Sequence, residues 1–95
     1  MNIIVAVTGS IACYKAFDVV RGLTKLKHNV RVVLTQGALD FIKPEIFMHL
    51  GAQYVYLPQD DHNPTKEMFE GLEHEQVLHI ALARWANKVV VAPLS

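Results

Sequence analysis

The sequence has a single cysteine, Cys13, among its 95 residues. An intrachain disulfide is therefore excluded, and one thiol fits a reducing, cytoplasmic setting. Charge of one sign is also missing: nine basic side chains balance nine acidic ones. That removes the basic face expected of a nucleic-acid binder. No apolar run approaches the roughly 18–20 residues needed to cross a bilayer. The opening stretch, Met1-Asn2-Ile3-Ile4-Val5-Ala6-Val7, is apolar but lacks a basic leader and a small-residue cleavage site. It is read as a strand and not as a signal peptide. None of the five histidines forms an HxxxH pair and one cysteine cannot form CxxC, so no metal site is expected. The GxGxxG and GxxxxGK[ST] patterns are absent as well, which removes the usual dinucleotide and P-loop fingerprints.

What is present is core-building sequence, with 52% of residues apolar. Residues 3–7 (Ile-Ile-Val-Ala-Val) read as a strand buried on both faces, ended by Thr8-Gly9-Ser10. From Ile11 to Lys27 the apolar period becomes helical, through Ile11, Ala12, Ala16, Val19, Val20, Leu23 and Leu26, with Ser10 as the expected N-cap. His28-Asn29 is read as a turn and residues 30–34 as a second strand. A short helix is expected over Ala38 to Ile42, another from Pro44 to Leu50 closed by Gly51, and a strand over 54–57. Residues 58–71 read as a loop or partly helical excursion. A last helix starts near Val77 or Ile80 and runs to Ala86, and Lys88 to Pro93 is a fourth strand. Alternation of this kind predicts an α/β fold: a Rossmann-like parallel sheet with helices on both faces and right-handed crossovers. About four strands are present, so the sheet is expected to be incomplete. Val89-Val90-Val91 at a sheet edge would be an aggregation hazard, which argues for truncation.

In open parallel sheets ligands bind beyond the carboxyl ends of the strands. Thr8-Gly9-Ser10-Ile11-Ala12 lies there, between the first strand and first helix, where glycine allows close approach and helix-start amides attract phosphate. The same residues also suit an ordinary strand-to-helix corner with a serine cap. Thr35, ending the second strand, can offer a hydroxyl to a phosphate or ribityl oxygen, or simply cap the next helix. Phe41 can face a planar ring, although an aromatic at helical spacing more often belongs to a core. His79 stands in Leu78-His79-Ile80-Ala81-Leu82-Ala83-Arg84-Trp85-Ala86; alone among apolar residues, histidine is more often structural than catalytic. His28, His49, His62 and His74 are expected to be solvated, and Cys13 inert.

Three segments, residues 4–16, 33–44 and 79–95, occur in this order and spacing in one family, and the chain resembles it over nearly its whole length. The family is the homo-oligomeric flavin-containing cysteine decarboxylases, and the likeness is greatest to the phosphopantothenoylcysteine decarboxylase branch. The resemblance implies that the chain is the first portion, residues 1–95, of a flavoprotein domain. It implies FMN as cofactor, with Gly9, Ser10 and Ile11 on its phosphate side, Thr35 as a hydroxyl contact and Phe41 near the flavin. Pro93 and Ser95 would open the Pro-x-Ser-Ala-Asn-Thr loop for flavin and substrate. His79 matches the catalytic histidine, as a base for the substrate thiol or a holder of its carboxylate. Together with Trp85 it separates this branch from the flavin prenyltransferases, which share the Gly-Ser-Ile turn. Asn87 stands where an aspartate is usual.

The implied reaction turns 4'-phosphopantothenoylcysteine into 4'-phosphopantetheine in coenzyme A biosynthesis. The cysteinyl side chain is oxidised to a thioaldehyde-like species, CO2 is lost, and the hydride is returned with no net redox change. The family also implies a trimer-based homo-oligomer. Another FMN protein of this fold, a non-catalytic flavin-binding module and a ligand-free structural fragment are the competing readings.

Overall fold

A strand that is apolar on both faces is stable only when both are covered. In the computed structural model of the protein, β1 (Asn2–Val7) meets that demand inside a four-stranded, wholly parallel sheet. The structure describes residues 1–8, 14–39, 42–61, 68, 72 and 78–92. After β1 come α1 (Lys15–Lys25), β2 (Asn29–Leu34), α2 (Gln36–Leu39), α3 (Glu45–His49) and β3 (Tyr54–Tyr56). A 3-10 turn over Pro58–Asp61, α4 (Leu78–Trp85) and β4 (Lys88–Ala92) complete the sequence of elements. The strand order is β3-β2-β1-β4. The chain thus steps outward from β1 to β3, then returns to the other side of β1 for β4. The expected Rossmann-like α/β architecture is what the backbone adopts.

Alternate residues of each strand serve opposite faces. On one face Ile3, Val5, Val7, Val30, Val32 and Leu34 pack against Ala16 and Val20 of α1, Ala38 of α2 and Phe47 of α3. On the other, Ile4 and Tyr56 pack with Met68 and with Leu82 of α4, flanked by Trp85. Helices therefore cover both faces.

The two longer helices on the first face end alike. His28 N–H donates to Leu23 O at 3.2 Å and Lys27 N–H to Thr24 O at 3.0 Å. Likewise Ala52 N–H donates to Phe47 O at 3.1 Å and Gly51 N–H to Met48 O at 3.1 Å. Both are Schellman closures, which require a left-handed residue. Gly51 fills that role at φ 108°, whereas Lys27 does so at φ 66° and bears the steric penalty of a side chain. A Cβ at Gly51 would also lie 3.0 Å from the Thr24 Cβ, and Thr24 Oγ1 donates to Leu50 O at 2.9 Å. The end of α3 is thereby seated on α1.

Several boundaries differ from the sequence reading. The α-helical stretch α1 has Tyr14 at its N-cap position, with no side-chain cap hydrogen bond, while the expected cap Ser10 lies outside the described residues. Asn29 belongs to β2 because it registers with Asn2, so the turn is made by Leu26 to His28. The short helix α2 starts earlier than expected, since Ala38 N–H donates to Thr35 O at 3.1 Å and closes the first turn behind Thr35. Strand β3 is limited to the three residues that register with Arg31, Val32 and Val33.

Candidate functional site

The direction of travel through the sheet reverses at β1, and such a switch point opens a crevice at the carboxyl ends of the flanking strands. Val7 registers with Leu34 on one side and with Ala92 on the other. Neighbouring strands are about 4.8 Å apart, so the chain leaves β1, β2 and β4 from one row. Thr35 N–H donates to Val7 O at 3.1 Å, which ties the exit of β2 to that of β1. With its backbone so engaged, Thr35 remains exposed, and Thr8 beside it is half-buried. Two hydroxyls and no charged side chain mark the described part of this row.

Helix α4 ends at the opposite edge. Asn87 N–H donates to Asn2 O at 2.7 Å, and Asn2 N–H donates to Asn87 Oδ1 at 2.8 Å. The helix therefore runs antiparallel to the strands and its first turn, which contains His79, points toward the carboxyl edge. At 1.5 Å per residue, His79 lies about 9 Å along the axis from Trp85. The backbone of His79 thus lies part of the way from the amino edge toward the carboxyl edge. Gly9, Ser10, Ile11, Phe41, Pro93 and Ser95 lie outside the described residues, as does Cys13. Among the described residues no group of histidine, cysteine or acidic side chains could hold a metal ion. Among them, too, no helix is long and apolar enough to cross a membrane.

A polar cluster on the α4 face went unread in the sequence. Arg31, 7% exposed on β2, donates from Nη1 to Tyr56 Oη at 2.7 Å and from Nε to Gln53 Oε1 at 3.4 Å. Its guanidinium lies 4.8 Å from the centre of the Trp85 ring, a cation–π distance. Tyr56 Oη in turn donates to Met68 O at 3.0 Å. Burial raises the Tyr56 pKa and outweighs the opposing pull of Arg31, so the phenol stays neutral and keeps its proton for Met68. The available signal was an arginine set among valines in Val30-Arg31-Val32-Val33, since a strand apolar on both sides accepts a charge only where partners meet it.

Side-chain amides continue this cluster across the amino edge. Gln53 Nε2 donates to Asn29 Oδ1 at 3.1 Å, Asn29 Nδ2 to Asn2 Oδ1 at 3.0 Å, and Asn2 Nδ2 to Trp85 O at 3.1 Å. Asn87 completes the chain as an acceptor through Oδ1. An aspartate would accept the same bond, so the departure at this position keeps the contact and loses only its charge.

Comparison with known proteins adds a family. The model of the Flavoprotein family matches residues 1–95. A probable phosphopantothenoylcysteine decarboxylase of Streptococcus mutans is 42% identical over 95 residues, covering 99% of this chain and 48% of that protein. The coenzyme A biosynthesis bifunctional protein CoaBC of Haemophilus influenzae is 36% identical over 94 residues, covering 99% of this chain and 21% of that protein. Among solved structures, a cysteine-to-serine mutant of PPC decarboxylase complexed with pantothenoylaminoethenethiol superposes with a TM-score of 0.70. It is 29% identical and covers 98% of this chain and 47% of that one. The chain thus spans about half, or less, of the length of the relatives it matches.

Proposed function

The chain belongs to the flavoprotein family, and from that membership and the carboxyl-edge geometry we propose that it contributes the flavin side of an FMN-dependent decarboxylase acting on 4'-phosphopantothenoylcysteine. The observation that carries the proposal is the row in which the exits of β1, β2 and β4 meet at the switch point of the sheet. The residues present fit such a cofactor: neutral hydroxyls at Thr8 and Thr35 suit a phosphate or ribityl chain, with no acidic side chain on the described row to repel it. In this reading Gly9, Ser10 and Ile11 receive the phosphate, Thr35 holds a polar oxygen, and Phe41, Pro93 and Ser95 border the flavin and substrate. His79, entering from α4, holds or moves a proton at the substrate thiol or binds its carboxylate.

When bound, FMN supplies a reversible two-electron acceptor, which makes decarboxylation beside an oxidised sulfur-bearing carbon feasible. The ethenethiol bound by the PPC decarboxylase mutant supports that order of events. Its carbon–carbon double bond bearing a thiol is what remains when CO2 leaves a cysteinyl group oxidised to the thioaldehyde level, the electron pair of the broken bond passing into the double bond and onto sulfur.

The test is titration of the purified chain with FMN, followed by absorbance, with Gly9→Asp and His79→Ala alongside. Saturable binding that is weakened at least tenfold in Gly9→Asp and kept in His79→Ala is expected; equal affinity in all three overturns the phosphate assignment. The isolated chain is expected to be incomplete for catalysis, so 4'-phosphopantothenoylcysteine is added without oxygen to the FMN-loaded chain joined to the remainder of the Streptococcus mutans decarboxylase. There it should bleach the visible flavin band transiently with the unsubstituted sequence and not with His79→Ala. Bound FMN that substrate never bleaches would leave the flavin site standing and refute the decarboxylase reading.

A further inference from the structure

We propose that Arg31 is a positioning residue: clamped to Tyr56 on β3 and lying against Trp85 at the end of α4, it fixes the rotation of the helix that carries His79. The inference rests on the role given to His79 above.

Helix α4 has eight residues, Leu78–Trp85, and a helix so short takes its placement from what it packs on. Ala81 and Leu82 are buried, at 0% and 6% exposed, and Leu82 shares a cluster with Ile4 and Tyr56. Apolar contact of this kind is non-directional. It holds the helix down without fixing its turn about its own axis. Two bonds set the position along that axis: Asn2 Nδ2 donates to Trp85 O at 3.1 Å, and Asn87 N–H, just beyond, donates to Asn2 O at 2.7 Å. Both meet backbone at one end of the helix and leave its rotation open.

The side chain at that end meets Arg31. The guanidinium carbon lies 4.8 Å from the centre of the Trp85 ring, within cation–π range. Arg31 is itself held fast, donating to Tyr56 Oη at 2.7 Å and to Gln53 Oε1 at 3.4 Å. Tyr56 Oη donates onward to Met68 O at 3.0 Å, in the segment ahead of α4. One arginine–tyrosine pair thus meets the chain on both sides of the helix. A buried guanidinium stabilises a fold little more than an apolar group of its size, but its bonds have direction.

Arg31 acts through α4 and not by touching substrate. It registers with Ile4, whereas the strand exits gather at Val7 and Leu34. Three residues at about 3.3 Å each put it roughly 10 Å short of that row, and its guanidinium is turned to Tyr56 and Trp85. At 3.6 residues per turn, the His79 backbone lies about 9 Å along the axis from Trp85 and about 120° around it. With Cα atoms about 2.3 Å from the axis, a turn of about 25° moves the His79 Cα by ~1 Å. A misplacement of about 1 Å can cost on the order of 100-fold in rate.

The test uses the FMN-loaded chain joined to the remainder of the Streptococcus mutans decarboxylase. Bleaching of the flavin band is timed at saturating 4'-phosphopantothenoylcysteine without oxygen. Arg31→Met and Trp85→Leu should each slow bleaching about tenfold or more while FMN affinity is unchanged. The double variant should be no slower than the slower single one, since both substitutions break the same contact. Arg31→Lys, which keeps a charge over the ring, should lose less than Arg31→Met. Phe47→Leu, on the opposite face, should lower the urea midpoint and leave the bleaching rate as it is. Bleaching indifferent to Arg31→Met, losses that multiply in the double variant, or FMN affinity falling in step with rate would each overturn the assignment. If the unsubstituted protein never bleaches, the decarboxylase reading falls and this inference falls with it.

Discussion

The two faces of the sheet are built on different principles. The α1–α3 face is closed by side chains without polar atoms, from Ile3, Val5 and Val7 to Phe47, which is fully buried against Phe17 with ring centres 5.2 Å apart. The α4 face has a smaller apolar cluster, and Arg31, Tyr56, Gln53 and Trp85 join sheet, helix and the Met68 segment by directed contacts. Area removed from water stabilises the first without specifying geometry. On the second, each polar group must meet its partner or lose stability. The contrast places the geometrically exact bonds on the side of the helix that carries His79.

The largest way to break that contrast is on the apolar side. Phe47→Ala should cost about 3–5 kcal/mol, because it opens a cavity among residues that can collapse only in part. Urea unfolding should show a lower midpoint with a similar slope; a cost below about 1 kcal/mol would mean that α3 is not part of the core.

A smaller, more informative pair lies on the other face. Tyr56→Phe removes the acceptor of Arg31 and the donor to Met68 together and should cost on the order of 1–3 kcal/mol. Arg31→Met keeps most of the volume and leaves Tyr56 its bond to Met68, so its cost should be about 1 kcal/mol or less, as for buried charges replaced by apolar groups of similar size. If Arg31→Met proves the more damaging, the guanidinium and not the phenol organises this face.

The smallest effect is on pH dependence. In the unfolded chain a tyrosine ionises near pH 10 or so, and burial holds Tyr56 above that in the fold. The unfolded state therefore sheds this proton first. The contribution is complete below about pH 10 and is lost as pH rises through the folded value. Denaturation midpoints of the natural chain should fall more steeply above that point than those of Tyr56→Phe; parallel curves would show that Tyr56 is not desolvated as described.

Much of the apolar face was legible from residue order. Ile3 to Val7 and Val30 to Leu34 read as strands covered on both sides, and the alternation of elements called for right-handed parallel crossovers. For the candidate site, chain punctuation pointed to Thr35 at the end of β2 and resemblance alone pointed to His79, and both assignments belong to the proposal. The Arg31–Tyr56–Met68 contact joins residues far apart in the chain, and nothing local in any one of them announces the others.

By itself, then, the sequence determined the strand and helix alternation, the parallel sense of the sheet and the chain segments that had to leave its carboxyl edge. Hydrophobic period and turn residues act locally and can be read in line. Only the tertiary structure decided that β4 returns beside β1, that α4 lies over the face bearing Arg31 and Tyr56, and that Val89 and Val91 are exposed. Those outcomes depend on strand order and on where each helix stops, and both are settled by packing between elements distant in the chain.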